Sequence, residues 1–415
     1  MQEFHNQTDI TKKNAFTQTQ FINWQTQAKA YKTYPKFFRR FNLDDYEELK
    51  FIKNFGKITY TKKYGNDEVN LRVNPSAGGL YPCEIYIQIR GAKGLLNGIY
   101  HYEPLTSTLA LIHELSSDGL ESYMNISQKK FIFLLSNAYF RTSWKYDKRA
   151  IRYLLLDSGH QLGSIYASLI LQGLDYTFDF NFDKEELNKA FCFDNYEHFV
   201  CAIFSSEYKE KETKELRDKI PFVNPCDYHI KEPFIEEFYS KYYEQSFKSF
   251  SSNFLKEEAK VELQKAIDER RSVRAFKKEP ILKDEFETIL KDIFIFAKKY
   301  GLEIYFINHL ITNLEKGIYK EYNLQKEGDY RQLCQMLAFN QKIGATSAAT
   351  IFFTSKLESN YSFNLILSGF LAHIIALTAT NLNINSTGIG AYFDDETKKV
   401  LETHNNILYL MAVGK

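Results

Sequence analysis

Hydrophobic positions along the chain follow two different periods. Apolar residues alternate with other residues where Ile85, Ile87 and Ile89 share one side, and this spacing predicts a β-strand. Residues 154–174 and 365–382 carry apolar side chains at helical spacing instead, which predicts two long helices. Strands and long helices together indicate an α+β fold.

The predicted strands occur twice. Glu-Ile-Tyr precedes Gly-Ile-Tyr at Glu84 and Gly98, and the same two tripeptides recur with identical spacing at Glu303 and Gly317. Each copy has the pattern of a strand, a loop and a second strand. We therefore predict an internal duplication.

The pattern after the long helices supports two repeats. An acidic helix start follows each long helix, at residues 182–187 and 388–396, and acidic side chains favour the N-terminus of a helix. Residues 206–252 match neither copy and combine charged residues with prolines, as connectors do. The sequence thus predicts a first repeat over residues 1–205 and a second over residues 253–415.

Length and composition narrow the function classes. A chain of 415 residues exceeds the usual size of one hydrophobic core, so two domains are expected. Its 53 basic and 52 acidic residues give a formal charge of +1, which provides no overall field for nucleic acid or an anionic membrane. Five well-separated cysteines without a CxxC pair argue against a disulfide framework and a zinc site.

The chain shows no sequence signal for export. Its first residues are polar and lack the apolar core of a signal peptide. Residues 361–384 are long and uncharged, but polar side chains such as Asn364 and His373 interrupt them, so we interpret them as a buried helix rather than a membrane span. A cytoplasmic location is expected.

Three segments carry residue types that point to chemistry. Residues 72–82 contain two adjacent glycines, which let backbone approach a flat ligand. Residues 270–274 hold three arginines, and guanidinium groups suit a phosphate. Residues 141–149 place an amine beside a phenol, Lys145 next to Tyr146, a pairing suited to proton transfer.

Each segment also has a plainer interpretation. The arginines could form a solvated basic helix end, the glycine loop could be an ordinary turn, and Lys145 and Tyr146 could be surface residues. His160, on an apolar helix, is interpreted as a core or supporting residue rather than an acid.

The motifs resemble the nitroreductase-like flavoprotein superfamily. They resemble in particular its azoline-dehydrogenase branch, the McbC-like or SagB-type oxidoreductases that oxidise thiazolines and oxazolines in ribosomal peptides. In the first half the resemblance rests on the loop at 72–82, on Gly98-Ile99-Tyr100-His101-Tyr102, and on Arg141, Lys145-Tyr146, Arg149 and Asp157-Ser158-Gly159-His160. In the second half it rests on residues 270–276 and on residues 388–390, which are expected to form a turn that offers backbone amides to an anion. The Pro-Ser-Ala loop and the Lys-Tyr pair are absent from this half.

This resemblance implies two tandem nitroreductase-like domains, each an antiparallel or mixed sheet flanked by helices, that form an intramolecular pseudo-dimer. Family members usually hold FMN at a dimer interface, between the arginine-rich opening of one subunit and the Pro-Ser loop of the other. One composite FMN site would survive here, and its mirror image would be degenerate. The residues that the resemblance assigns to FMN are Pro75, Ser76, Ala77, Gly78, Gly79, Arg270, Arg271, Ser272, Arg274, Gly388, Ile389 and Gly390. No metal is expected.

The same resemblance implies that Lys145 and Tyr146 are catalytic. Azoline oxidation needs a base that removes a proton while a hydride passes to FMN. A neutral lysine would require burial or a nearby cation, for which Arg141 and Arg149 are candidates. The substrate would be peptide-like or a small molecule, and a peptide-modifying enzyme is a candidate partner. Two alternatives stay open, an NAD(P)H-dependent nitro or quinone reductase and a non-catalytic flavin-binding or scaffold protein.

Overall fold

Two antiparallel sheets flanked by helices organise the chain. The structure is a computed structural model that describes residues 1–15, 22–65, 67–242, 254–255, 260–357 and 360–415. Over these residues the strands form a seven-stranded sheet, a six-stranded sheet and a two-stranded ribbon. The predicted α+β class is confirmed.

The first half contributes nine strands and five α-helices to the described part of the chain. The strands are β1 Arg40–Asn42, β2 Ile58–Tyr64, β3 Asp67–Arg72, β4 Cys83–Ile89, β5 Gly98–Glu103, β6 Thr108–Glu114, β7 Gln128–Asn137, β8 Thr177–Asp179 and β9 His198–Lys209. The helices are α1 Gln2–Asn6, α2 Phe140–Tyr146, α3 Ala150–Gln172, α4 Lys184–Ala190 and α5 Pro233–Glu237. Strands β2 and β3 form the ribbon, and the others form the larger sheet.

The second half contributes six strands and six α-helices to the described residues. The strands are β10 Leu302–Asn308, β11 Gly317–Lys320, β12 Asn323–Glu327, β13 Ala349–Ser355, β14 Asn385–Ile389 and β15 Asn406–Gly414. The helices are α6 Lys260–Glu269, α7 Lys283–Lys299, α8 Arg331–Leu337, α9 Ile343–Thr346, α10 Tyr361–Asn381 and α11 Asp394–Val400.

The two sheets repeat one another strand for strand. The order β6-β5-β4-β7-β9-β8 in the first sheet matches β12-β11-β10-β13-β15-β14 in the second. The register is also the same, because Ile89 pairs with Gly98 and Asn308 pairs with Gly317. The duplicated tripeptides therefore mark equivalent strand pairs.

Strand β4 is buried on both faces although its sequence alternates. The isoleucine face packs into the main core. On the other face Glu84 contacts His101 at 2.9 Å and Gln88 Oε1 accepts a hydrogen bond from the Leu120 amide at 2.8 Å. These polar side chains are buried because neighbouring elements supply their partners.

Helices α3 and α10 cross at glycines. A Cβ atom on Gly159 would lie 2.0 Å from the Ile366 carbonyl oxygen, and one on Gly369 would lie 2.1 Å from that of Leu156. The two contacts are equivalent, because each glycine lies three residues after the residue whose carbonyl the other glycine faces. They let the two helix backbones approach closely. This crossing joins the two halves through the centre of the molecule.

Helix α10 is long and apolar enough to cross a membrane by length and composition, but 89% of its most apolar window is buried inside the fold. The prediction of a buried helix over this segment is confirmed.

The N-terminal segment ties the halves together through buried charges. Asp394 accepts from Arg149 at 2.9 Å and from Arg152 at 2.5 Å, and Arg152 also pairs with Asp9 and lies 3.1 Å from His5 Nε2. His5, Asp9 and Asp394 have the side-chain types of a metal site. The Arg152 guanidinium already contacts all three.

The predicted connector differs from the structure at its beginning. Strand β9 continues to Lys209, past the predicted boundary at residue 205, because its last residues pair with Gln128 and Lys129 of β7. Helix α5 follows within the connector. Residues 243–252, the last part of the predicted connector, lie outside the described residues.

Candidate active site

A cleft lies where the two halves meet. It encloses about 820 Å³, part of it open to solvent. Its walls come from both halves and are formed by Pro75, Ser76, Ala77, Gly78, Tyr146, Tyr153, Leu156, Asp157, His160, Ser272, Arg274, Gln341, Thr387, Gly388, Ile389, Gly390, Ala391 and Tyr409. Of the twelve residues that the resemblance assigns to FMN, nine line this cleft. The other three, Gly79, Arg270 and Arg271, do not.

Asp157 fixes the glycine loop to helix α3. Ser76 Oγ donates to Asp157 Oδ2 at 2.5 Å and accepts from the Tyr81 amide at 2.9 Å, while the Ala77 amide lies 3.2 Å from Asp157 Oδ1. Burial raises the pKa of Asp157 to about 7, and the hydrogen bonds from Ser76 and Ala77 act in the opposite direction. The loop is thus held by one buried carboxyl group.

Lys145 and Tyr146 converge on Gly78. Gly78 has φ +65°, a conformation that favours glycine. A Cβ atom at this position would lie 2.8 Å from Tyr146 Oη and 3.4 Å from Lys145 Nζ. Helix α2 ends at Tyr146, so both polar groups stand at its C-terminus beside the loop. The structure brings the predicted Lys-Tyr pair and the predicted glycine loop together.

The Tyr146 side chain is half-buried and packs against another aromatic ring. Its ring meets that of Tyr153 edge-on at 4.7 Å, and Tyr153 Oη donates to the Gly390 carbonyl oxygen at 3.0 Å. Burial raises the pKa of Tyr146 well above its ordinary value. Tyr146 therefore keeps its proton at neutral pH.

The two arginines that frame the Lys-Tyr pair have other partners. Arg141 pairs with buried Glu84 at 2.6 Å, and Arg149 pairs with buried Asp394 at 2.9 Å. A carboxylate compensates each guanidinium, so neither supplies a free positive charge next to Lys145. The prediction that these arginines act on Lys145 was wrong, because their charges are used within the fold.

The arginine cluster divides over two environments. Arg270 is buried and donates to the carbonyl oxygens of Val73 at 2.5 Å and Arg72 at 3.2 Å. No carboxylate pairs with it within the described residues, and burial lowers its pKa to about 10. Arg270 therefore brings a positive charge close to the cleft and holds the start of the glycine loop.

Arg274 lines the cleft, and among the described residues it forms no ion pair. Arg271 points elsewhere, since its guanidinium donates to the carbonyl oxygens of Asp268 and Thr59 and lies over the Tyr60 ring. Of the predicted arginines, Arg274 is the one that borders the cavity directly.

The Gly-Ile-Gly motif differs from the predicted turn. Gly388 and Ile389 are the last residues of β14 and pair with β15, and Ser272 bridges to Ser386 on the same strand. A Cβ atom on Gly388 would lie 1.8 Å from Tyr409 Oη, and one on Gly390 would lie 2.6 Å from the Tyr153 ring. The glycines make room for two tyrosine rings at the cleft, so the expectation of a turn was wrong for Gly388 and Ile389.

His160 is a buried supporting residue at the cleft wall. Its Nε2 lies 2.9 Å from Tyr409 Oη, and its Nδ1 has no hydrogen-bond partner among the described residues. Burial, reinforced by Arg270, lowers the pKa of His160 to about 3, so the ring is neutral. Within the same part of the chain, Asn74 Oδ1 of the glycine loop is likewise buried without a partner.

Several cleft residues were not assigned a role from the sequence. Asp157 stood in the Asp-Ser-Gly-His motif, and its position three residues before His160 on a helix was the available signal. Tyr153 and Tyr409 had none, because an aromatic residue in an apolar segment is usually core.

The opposite side of the α3–α10 crossing has different side chains. The two glycine contacts show which positions of the helices are equivalent, since Gly159 of α3 corresponds to Gly369 of α10. By the same alignment, the equivalents of Tyr153, Asp157 and His160 are Phe363, Leu367 and Phe370. The positions that carry polar groups in the cleft wall therefore carry apolar side chains on this side.

Aromatic rings fill this opposite region. The Phe180 and Phe363 ring centroids are 5.4 Å apart, and those of Phe178 and Phe370 are 5.6 Å apart. Tyr300, just before β10, packs 5.6 Å from Phe363. Such packed rings leave little space for a planar ligand.

Comparisons with known proteins agree with this architecture. Residues 267–415 match the Nitroreductase family. A protein of Methanocaldococcus jannaschii, named as a candidate nitroreductase, is 32% identical over 129 residues, which is 30% of this chain and 65% of that protein. The chain thus spans less than two thirds of this relative's length.

Solved structures extend the comparison to the whole chain. The crystal structure of a candidate nitroreductase from Anabaena variabilis superposes with a TM-score of 0.83 at 21% identity, over 100% of this chain and 99% of that one. The Escherichia coli microcin synthetase McbBCD complex with truncated pro-MccB17 matches 50% of this chain and 91% of that chain at 15% identity, with a TM-score of 0.33, too low to support an inference. The chain as a whole therefore has the nitroreductase fold, and its residues 267–415 carry the sequence signature of the Nitroreductase family.

Proposed function

We propose that the chain is an FMN-dependent oxidoreductase that binds one FMN in the cleft between its halves. The observation that carries this proposal is the meeting of the glycine loop, the Lys-Tyr pair and the arginine segment around one cavity. We also propose that residues 1–205 and 253–415 are two repeats joined by residues 206–252, and that they form an intramolecular pseudo-dimer.

The residues of the cleft fit a phosphorylated planar cofactor. Arg274 and Ser272 would bind the phosphate or ribityl groups, with the charge of buried Arg270 behind them. The backbone of Ala77 and Gly78 would lie along the ring, because no side chain at Gly78 holds it away. Near this cavity, His160 Nδ1 and Asn74 Oδ1 are buried polar atoms that have no hydrogen-bond partner in the described part of the chain.

FMN, when bound, supplies the exchange of a hydride with the substrate. The chain would bind and orient the substrate beside Lys145 and Tyr146 and move the accompanying proton. As a finer proposal, the enzyme is a dehydrogenase of the SagB or McbC-like type that oxidises an azoline or a related C–N or C–C bond. Lys145 Nζ would accept the proton from carbon, and Tyr146 Oη would hold a substrate heteroatom by a hydrogen bond.

The first experiment measures FMN per chain in the purified protein after incubation with excess FMN. We expect about one FMN per chain, and roughly tenfold weaker binding in an Arg274→Ala variant, since it loses a charged hydrogen bond. Arg271→Ala is the matched control, because its guanidinium is bonded outside the cleft. Absence of flavin would favour a scaffold protein and refute the enzyme proposal.

The second experiment tests the dehydrogenase with azoline-containing peptides and the FMN-loaded chain. Lys145→Ala should lower kcat by about 10² or more if Lys145 moves the proton. Lys148→Ala, an exposed lysine three residues later, should leave kcat unchanged. A peptide-modifying enzyme that stimulates the reaction would identify the proposed partner.

A second candidate function is an NAD(P)H-dependent nitro or quinone reductase. It is favoured by the position of Tyr146 Oη, 2.8 Å from a Cβ position on Gly78, where a protonated phenol can donate a hydrogen bond to an acceptor substrate. Consumption of NAD(P)H with a quinone, together with no oxidation of azoline peptides, would select this function.

A further inference from the structure

Trp24 lies next to the Lys-Tyr pair and is unusually exposed. Trp24 is the first residue of a short helical turn, Trp24–Thr26, and 63% of its surface is accessible to solvent. The Lys145 Nζ atom is 5.9 Å from the centre of the Trp24 ring. Since Nζ also comes within 3.4 Å of a Cβ position on Gly78, Lys145 connects Trp24 with the cleft.

The turn that carries Trp24 is held in place without the indole. Trp144 Nε1 donates to the Asn23 carbonyl oxygen at 3.3 Å and contacts Thr26 Oγ1 at 3.0 Å. Asn23 Oδ1 accepts from the Gln25 amide at 3.1 Å and caps the turn. Backbone and small polar side chains thus define the position of the turn.

Among the described residues, the indole contacts Lys145 Nζ and one aromatic ring. It meets the buried Trp144 ring edge-on, with centroids 5.5 Å apart and planes at 72°. A large aromatic ring on an anchored turn can receive a ligand with little loss of conformational freedom. Its large exposed surface suits a flat partner.

We propose that Trp24 is a stacking platform for the substrate of the proposed oxidoreductase. The ligand class is a planar, conjugated ring with a hydrogen-bond acceptor next to it. The ring would lie on the indole, and Lys145 Nζ would donate to the acceptor, which an ammonium and an amine can both do. A saturated, puckered ring of the same size would make fewer contacts with the indole.

This inference rests on the proposed function, and its test uses two matched probes. Benzoate and cyclohexanecarboxylate have the same charge and nearly the same size, and only benzoate is planar and conjugated. Their dissociation constants are measured by calorimetry on the FMN-loaded full-length chain. We expect wild-type protein to bind benzoate more tightly than cyclohexanecarboxylate.

Trp24→Ala should weaken benzoate binding roughly three- to tenfold and leave cyclohexanecarboxylate binding nearly unchanged, whereas Trp24→Phe should restore most of the benzoate affinity. Phe37→Ala is the control, since Phe37 is 83% exposed and stacks on Phe38 instead. FMN content is measured in every variant to show that the cleft is intact.

Three results would overturn the platform. These are no measurable benzoate binding to the flavin-loaded wild type, an unchanged benzoate affinity in Trp24→Ala, and an equal loss of affinity for both probes. Failure of the wild-type chain to take up FMN would instead refute the proposed function, and the platform with it. The FMN measurement distinguishes the two kinds of failure.

Discussion

Asp157 is a buried carboxyl group whose hydrogen bonds hold the glycine loop, and its protonation is coupled to folding. Its pKa is about 7 in the fold, against about 3.9 in an unfolded chain. Because the folded value is raised, the stability that protonated Asp157 contributes is complete below pH 4 and is lost as the pH rises to 7. The difference corresponds to at most about 4 kcal/mol.

Asp157→Asn should remove this pH dependence. The amide can still accept from Ser76 and Ala77 but does not ionise, so we expect the variant to gain stability relative to wild type between pH 5 and pH 8, by about 2 kcal/mol or more. Urea unfolding at several pH values measures the effect. Asp218→Asn, at an exposed carboxylate, is the control. Parallel stability curves for wild type and Asp157→Asn would contradict the prediction.

At the scale of elements, the crossing of α3 and α10 depends on backbone contact at glycine. Gly369→Ala would place a methyl group 2.1 Å from the Leu156 carbonyl oxygen, so the helices would have to separate. We expect a loss of about 1–3 kcal/mol in the free energy of unfolding and weaker FMN binding, since both helices border the cleft or support its wall.

Thermal or urea unfolding together with FMN titration checks this prediction. Gly56→Ala is the matched control. A Cβ atom on Gly56 would lie 3.3 Å from its nearest neighbour, a Pro104 side-chain atom, and the φ of Gly56 is negative. A Gly369→Ala variant no less stable than Gly56→Ala would show that the crossing tolerates a wider separation.

The same elements show how far the sequence could lead. Hydrophobic spacing predicted α3 and α10, and repeated tripeptides predicted the equivalent strands, because both signals are local. The Gly388 segment was expected to be a turn. Its pairing with β15 and the tyrosine rings against it depend on residues distant in the chain, which local patterns do not contain.

The site was predictable to a similar degree. The sequence named the loop around Gly78 and Lys145 beside Tyr146, and the structure brings them together. It also linked Arg141 to Lys145, whereas the actual partner is Glu84, 57 positions earlier in the sequence. Buried ion pairs of this kind follow from tertiary packing. Trp24, on a short polar turn, gave no signal at all.

At the scale of the whole molecule, Asp394 joins the two halves. It lies in the second half and pairs with Arg149 and Arg152 of the first, and all three residues are buried. Asp394→Ala would leave two buried guanidinium groups poorly compensated, so we expect a loss of about 3–5 kcal/mol in the free energy of unfolding.

Glu396 on the same helix is the control for this prediction. It pairs with Lys12 at 3.6 Å, and the lysine is largely exposed, so Glu396→Ala should cost less than about 1 kcal/mol. Urea unfolding of both variants provides the comparison. Equal losses would mean that the buried charges are compensated by other groups once Asp394 is removed.

The filled region around Phe363 has a consequence for variation in this protein. In a symmetric dimer every substitution occurs twice, so a phenylalanine that blocks one site blocks the other as well. Here the two halves are encoded separately, and a blocking side chain on one side leaves the opposite cleft untouched. In exchange, the residues that the structure describes form no second cleft of the same composition. In the proposed oxidoreductase, a single inhibitor molecule, or a single inactivating change at Gly78, would therefore silence the whole polypeptide.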